Sequence, residues 1–224
     1  MGNSRSVSTW SLIAIPAIIT LGITILRVTG ELQHWSTLLF NPAAGGGGAI
    51  IGISWLPIIL GPYFALKLAK AGEGPSSVGR SIAFALLGLV VLFLSSFLLQ
   101  LTFEHPSLLT LLAFLLMLAA AFIPRLGWRS LGDVLLVYAF AARIPVVVVM
   151  YLAMRGNGGA GWGTHYDVVP PQFGNLSFAV KYFYMALVPQ MTLWIGFTVV
   201  VGSLIGAIVS AIARRGKQGV QAEA

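Results

Sequence analysis

Ser81–Phe103 reads SIAFALLGLVVLFLSSFLLQLTF, 23 residues without one Asp, Glu, Lys or Arg. At 1.5 Å per residue a helix of this length covers about 34 Å, and the hydrocarbon core of a bilayer is about 30 Å thick. The stretch is a membrane span. The rest of the chain agrees with it: of 224 residues 58% are hydrophobic and 8% charged, with a mean hydropathy of +0.92. A soluble domain carries about 25% charged residues, so lipid must be the solvent for most of this surface.

Five further segments are long and apolar enough to cross: Trp10–Val28, Ala49–Ala69, Ser107–Pro124, Leu131–Met154 and Tyr182–Ala213. The expected fold is therefore all-α, a polytopic bundle of six transmembrane helices in one membrane domain over residues 1–215. The outer loop 155–181 is long enough to act as a lid, and 216–224 is a short polar tail expected to be disordered. The run after Arg5 is too long for a secretory signal and reads as a retained first span. The loop charges orient the bundle. With a cytoplasmic N-terminus, Arg5, Lys67, Lys70, Arg80, Arg125, Arg129, Arg214, Arg215 and Lys217 fall inside, and only Arg27, Arg155 and Lys181 outside. That is the asymmetry the positive-inside rule requires, and it places both termini in the cytoplasm of a multi-pass protein of the cell membrane.

The net charge of +7 is accounted for by these topology signals, and no basic run interleaved with aromatics suggests nucleic acid. The absence of cysteine excludes disulfides, thiolate metal sites and cysteine nucleophiles. Phosphate-binding glycine loops and hydrolase or EF-hand motifs do not occur. Met1–Ser6 fits a myristoylation pattern and Asn175-Leu176-Ser177 a glycosylation sequon, both meaningful only in a eukaryotic setting. Trp10, Trp35, Phe103, Trp128 and Tyr151 fall where interfacial aromatic anchors are expected.

Arg143 stands near the middle of the fifth span. A charge there is expensive unless it faces a cavity or a partner, and no span carries a central carboxylate. Tyr138 and Gln190 are candidate companions at a substrate-binding site, and the carbonyl freed by Pro145 is a candidate acceptor. Pro57, Pro62, Pro145 and Pro189 are candidate helix hinges. Pro57 and Pro145 lie at matching places in two three-span halves, the pattern of an inverted repeat. Gly202 and Gly206 form a GxxxG motif for close helix packing, within the bundle or in a homodimer or membrane complex through span six. The fourth span is expected to face lipid.

On the outer side, Glu31–Phe40 has the pattern of a short interfacial helix, followed by Asn41-Pro42 and the hinge-like Gly45–Gly48. His34, His105 and His165 lie on that side with Glu31, Glu104 and Asp167, a donor set that suits a divalent metal without any established ligand spacing. No cofactor is otherwise expected. Three functions fit these features. The first is a small permease or channel-like transporter for an anionic or neutral solute. The second is a non-catalytic subunit or scaffold of a membrane complex. The third, an enzyme acting on lipid or an envelope precursor, has the least support because catalytic signatures are missing.

Overall fold

A computed structural model describes the backbone of residues 8–103 and 107–222, and their side chains other than Gln172 and 215–222. The Met1–Ser6 pattern, Glu104, His105 and the end of the tail lie outside the described residues. Among those described, all regular structure is helical. Five helical segments are long and apolar enough to cross a membrane: Thr9–Leu32, Val78–Thr102, Leu108–Leu126, Arg129–Gly159 and Phe178–Arg214. Large apolar side chains such as Phe93, Leu94, Leu108 and Ile212 are exposed on them, as a lipid-facing surface requires.

We number the helices α1 (Thr9–Leu32), α2 (Leu56–Lys70), α3 (Val78–Thr102), α4 (Leu108–Ala120), α5 (Arg129–Gly159), α6 (Phe178–Tyr182), α7 (Val188–Met191) and α8 (Leu193–Ala222). The last helix occupies the centre: α8 packs against α2, α3, α4 and α5, while α1 leans on α5. One core joins Ile13, Phe64, Leu68, Leu135, Tyr138 and Val199 from α1, α2, α5 and α8. A second joins Leu92, Phe114, Met117 and Val200 from α3, α4 and α8. The fourth span therefore does not face lipid all round, since Thr110, Ala113, Phe114, Met117 and Ala120 are buried on one side of it.

The segment expected as span two is different. Its helix α2 has only 15 residues, about 22 Å at the helical rise, short of a bilayer core. Residues 49–55 before it form bends and turns. Pro57 is not a hinge, because it occupies the first turn of α2, where its missing N–H breaks no helical bond. Pro62 lies within α2 and Pro145 within α5. Pro145 thus sits in a continuous helix, and the matching interruption expected of two repeated halves is not realised. The last span is the second interrupted one. A π-helical turn covers Phe183–Leu187, Pro189 follows in the first turn of α7, and Thr192 leaves the helical region with φ −123° and ψ −74°.

Gly202 and Gly206 do not present an open face to a second copy. A Cβ on Gly61 of α2 would run into the Gly202 backbone, and one on Gly206 would lie 2.8 Å from the Gly61 carbonyl oxygen. The GxxxG motif seats α2 of its own chain, and dispersion between closely approaching backbones holds the pair. At the other extremity, α8 stays helical as far as Ala222, into the segment expected as a disordered tail. Nor does Glu31–Phe40 form an interfacial helix: Glu31 and Leu32 complete α1, and 33–40 is a series of turns.

The loops gather at two ends. At one, Arg214 donates to the Pro75 carbonyl at 3.1 Å, Ser81 to that of Gly127 at 3.1 Å, and the Trp128 indole to that of Glu73 at 2.9 Å. Trp128 is thus buried and is no interfacial anchor. At the other end the segment 33–55 meets the loop after α5.

Candidate functional site

Arg143 projects from α5 beside Ala142, Val146 and Val147, all buried, and is itself only 4% exposed. Its Nη1 donates to Gln190 Oε1 over a long 3.4 Å. Its Cζ lies 4.6 Å from the centroid of the Trp194 ring. Its buried Nε has no hydrogen-bond partner, and among the described residues no carboxylate comes within ion-pair distance of it. A guanidinium offers five N–H donors, so most of this one's capacity is unanswered by protein.

Arg143 lines a cavity of about 270 Å³ between α1, α5, the interrupted last span and the loop end. Met185, Pro189, Gln190 and Trp194 bring the π-turn and helix break to its wall, and Gly52, Ile53 and Ser54 bring the irregular segment before α2. Irregular backbone in a membrane protein is tolerated where it is buried in protein or lines a cavity, and both of these segments line one.

A second guanidinium explains how that segment is kept. Arg27, at the end of α1, is 6% exposed. Its Nη1 donates to the Ile51 carbonyl at 2.6 Å, and its Nη2 to those of Asn41 and Gly46 at 3.0 Å each. It thus satisfies carbonyls that no helix satisfies. Gly46 has φ +82°, and a Cβ there would stand 2.8 Å from Arg27 Nη2, so the approach requires glycine. Unlike Arg143, Arg27 has a counter-charge, for its Nε is 2.6 Å from Glu31 Oε1.

Glu31 is a junction. Besides Arg27 it accepts the backbone N–H of His165 at Oε2, 2.9 Å, and contacts the His165 ring Nδ1 at Oε1, 2.6 Å. An ionised carboxylate only accepts, so Nδ1 carries a hydrogen, and in the neutral ring Nε2 is the acceptor. His165 and Tyr166 both line the cavity. Burial pushes the Tyr166 phenol above its ordinary range, the Glu31 charge adds to this, and Arg27 and Arg143 oppose it; Tyr166 is a neutral O–H at the cavity wall.

The loop that delivers His165 is built by Asp167, whose carboxylate accepts from the Gly163 and Thr164 backbone amides at 2.9 and 2.8 Å and from the Thr164 hydroxyl at 2.5 Å. Tyr166 and Trp162 then dock on Val146, Met150 and Ala153 of α5. The segment expected as a lid is thus a folded cover on the cavity.

Of the expected substrate-binding residues, Arg143 and Gln190 share the cavity. Tyr138 does not: it is 1% exposed, packed in the core and hydrogen-bonded to Thr20 at 2.8 Å. The carbonyl freed by Pro145 is not where Arg143 goes; Gln190 and Trp194 take its place. Of the expected metal donors among the described residues, only Glu31 and His165 meet. His34 is exposed beyond the end of α1, Asp167 binds its own loop, and among the described residues no three His, Asp or Glu side chains cluster. Arg27 already occupies the Glu31 carboxylate with a fixed positive charge, which disfavours a cation there.

Arg27, Trp194 and Tyr166 are wall residues that sequence reasoning did not select. Arg27 and Glu31 carried a signal, their four-residue spacing on one helix, which was readable as an internal ion pair. Compared with known proteins, the chain matches no family model, no curated protein and no solved structure.

Proposed function

We propose that the chain is a small membrane permease that takes an organic monoanion into the Arg143 cavity. The observation that carries this reading is a guanidinium held in a cavity with an unpartnered Nε and no counter-charge. Charge bookkeeping narrows the solute. Arg27 and Glu31 offset one another, which leaves the single positive charge of Arg143. The walls beside it are apolar, with Ile53, Val146, Met150 and Trp194. One anionic head on Arg143 and an apolar body against these residues describes a small monocarboxylate. A cavity of about 150 Å³ holds benzene, so about 270 Å³ leaves room for benzoate. A scaffold subunit, by contrast, has no use for such a cavity.

The orientation belongs to the same proposal. The basic residues Lys67, Lys70, Arg80, Arg125, Arg129 and Arg214 belong to the loop end away from the cavity, and the positive-inside rule assigns that end to the cytoplasm. In this arrangement both termini are cytoplasmic, and α2 together with residues 49–55 makes a sixth crossing.

The test is benzoate binding to the purified full chain, and benzoate uptake into liposomes that contain it. Arg143→Gln is expected to weaken binding at least about tenfold, the loss of one charge-assisted bond. Equal binding by wild type and variant would overturn the reading. The Glu31–His165 contact favours a second one: a histidine oriented by a carboxylate is a general base, which suits an enzyme acting on an anionic lipid. Chemical change in a bound ester, rather than its release intact, would select it.

A further inference from the structure

We infer that the His165–Glu31 pair is a proton site that loads together with the anion, so that each anion enters the cavity with one proton. The inference rests on the monoanion reading above and adds a second ligand to the same cavity.

The pair has the geometry for it. Glu31 receives two donors besides the ring, the Arg27 Nε and the His165 backbone N–H, which hold it ionised. It pins the ring hydrogen on Nδ1 at 2.6 Å. The next proton from solvent therefore adds to the lone pair of Nε2, with no other bond broken, and leaves by the same route. His165 is part of the cavity wall, beside the space the anion would occupy.

The groups around His165 make that proton sensitive to the anion. Glu31 and Arg27 face it from α1, Arg143 stands on α5 across the cavity, and Tyr166 and Asp167 flank it in its own loop. The segment 41–54 contributes carbonyls and Ser54, and α7 contributes Gln190, none of them charged. Asp167 is engaged by the Gly163 and Thr164 donors. With His165 neutral, the groups lining the cavity and their paired carboxylate sum to one positive charge; with His165 protonated, to two. An anion relieves the repulsion between His165 and Arg143, so anion and proton each strengthen the binding of the other by one and the same factor. A monoanion that travels with a proton also moves no net charge across the membrane.

The experiment uses the purified full chain in detergent micelles and sodium benzoate as the probe, which stays ionised between about pH 6 and pH 8. A pH indicator in weak buffer reads proton uptake as benzoate is added. The expected result is uptake approaching one proton per benzoate bound, with affinity falling by up to about tenfold per pH unit on the alkaline side. His165→Asn keeps an N–H donor for Glu31 but has no site for the proton, and should bind benzoate with an affinity flat in pH and without proton uptake. Benzoate binding by wild type without proton uptake would overturn this inference and leave the permease reading standing, as would uptake by His165→Asn equal to that of wild type. Failure of wild type to bind benzoate at all would overturn both. The wild-type measurement decides the matter even if the variant does not fold.

Discussion

Arg143 lies over the face of Trp194, its Cζ 4.6 Å from the ring centroid, in the place where an ion-pair partner would be expected. A desolvated cation over an aromatic face gains about 2 kcal/mol, while the effective penalty for taking an ion out of water is several kcal/mol. The indole offsets only part of the burial. The remaining deficit is what a bound anion would relieve.

Arg143→Met should therefore raise the thermal midpoint of the purified protein or leave it unchanged, because it removes a buried, unanswered charge. The same variant should lose benzoate binding. A clear fall in the midpoint would mean that Arg143 is a structural tie rather than a ligand group.

Gln190→Cys places a thiol on the cavity wall of a chain that has no other cysteine. A membrane-impermeant thiol reagent should label it from the side of the 33–55 and 160–177 loops, and benzoate should slow the labelling. Protection from both sides in a folded variant would mean that water does not reach the cavity.

Arg27 and Glu31 should behave as a unit. Glu31→Met leaves a guanidinium 6% exposed without its carboxylate, and breaking a buried pair from one side costs about 3–5 kcal/mol. The double variant Arg27→Met/Glu31→Met should be less destabilised than the sum of the single ones. Denaturation of all four proteins in one detergent gives the coupling directly, and additive effects would contradict the contact.

Gly61→Ala should lower the thermal midpoint strongly. The new methyl group meets the backbone of Gly202, which cannot rotate away as a side chain can, and such overpacking costs about 1–3 kcal/mol. Gly22→Ala is the matched control, with nothing within 4 Å of the added atom, and should be neutral or stabilising.

The five long spans were legible because hydropathy and length suffice where a helix is regular: α3 was expected over Ser81–Phe103 and runs Val78–Thr102. Ala49–Ala69 misled for a physical reason. Hydropathy measures what the side chains tolerate, and Ile50, Ile51 and Ile53 suit lipid depth whether or not their backbone is helical. Arg27 holds this stretch by the Ile51 carbonyl and the turn before it by those of Asn41 and Gly46, acceptors that lie 14 to 24 residues away in sequence. Arg143 and Gln190 were readable as neighbours in one cavity because a charge and an amide in apolar helices need a reason. Trp194 and Tyr166 were hidden among residues that serve equally well as packing. Tyr138 looked like a companion of Arg143 by its nearness in sequence, but five residues along a helix turn it away to Thr20.

The short helix α2 also has a consequence for biogenesis. Its main neighbour, α8, leaves the ribosome well after it, and the glycine that seats it, Gly202, emerges some 140 residues after Gly61. Until then α2 is too short to be held by lipid alone and has only the smaller contact with α5, through Phe64 and Tyr138, to lean on. Nascent chains arrested before Leu193 should leave residues 56–70 open to added protease, and chains released after α8 should not. Synthesis of α8 is thus the step that seats α2.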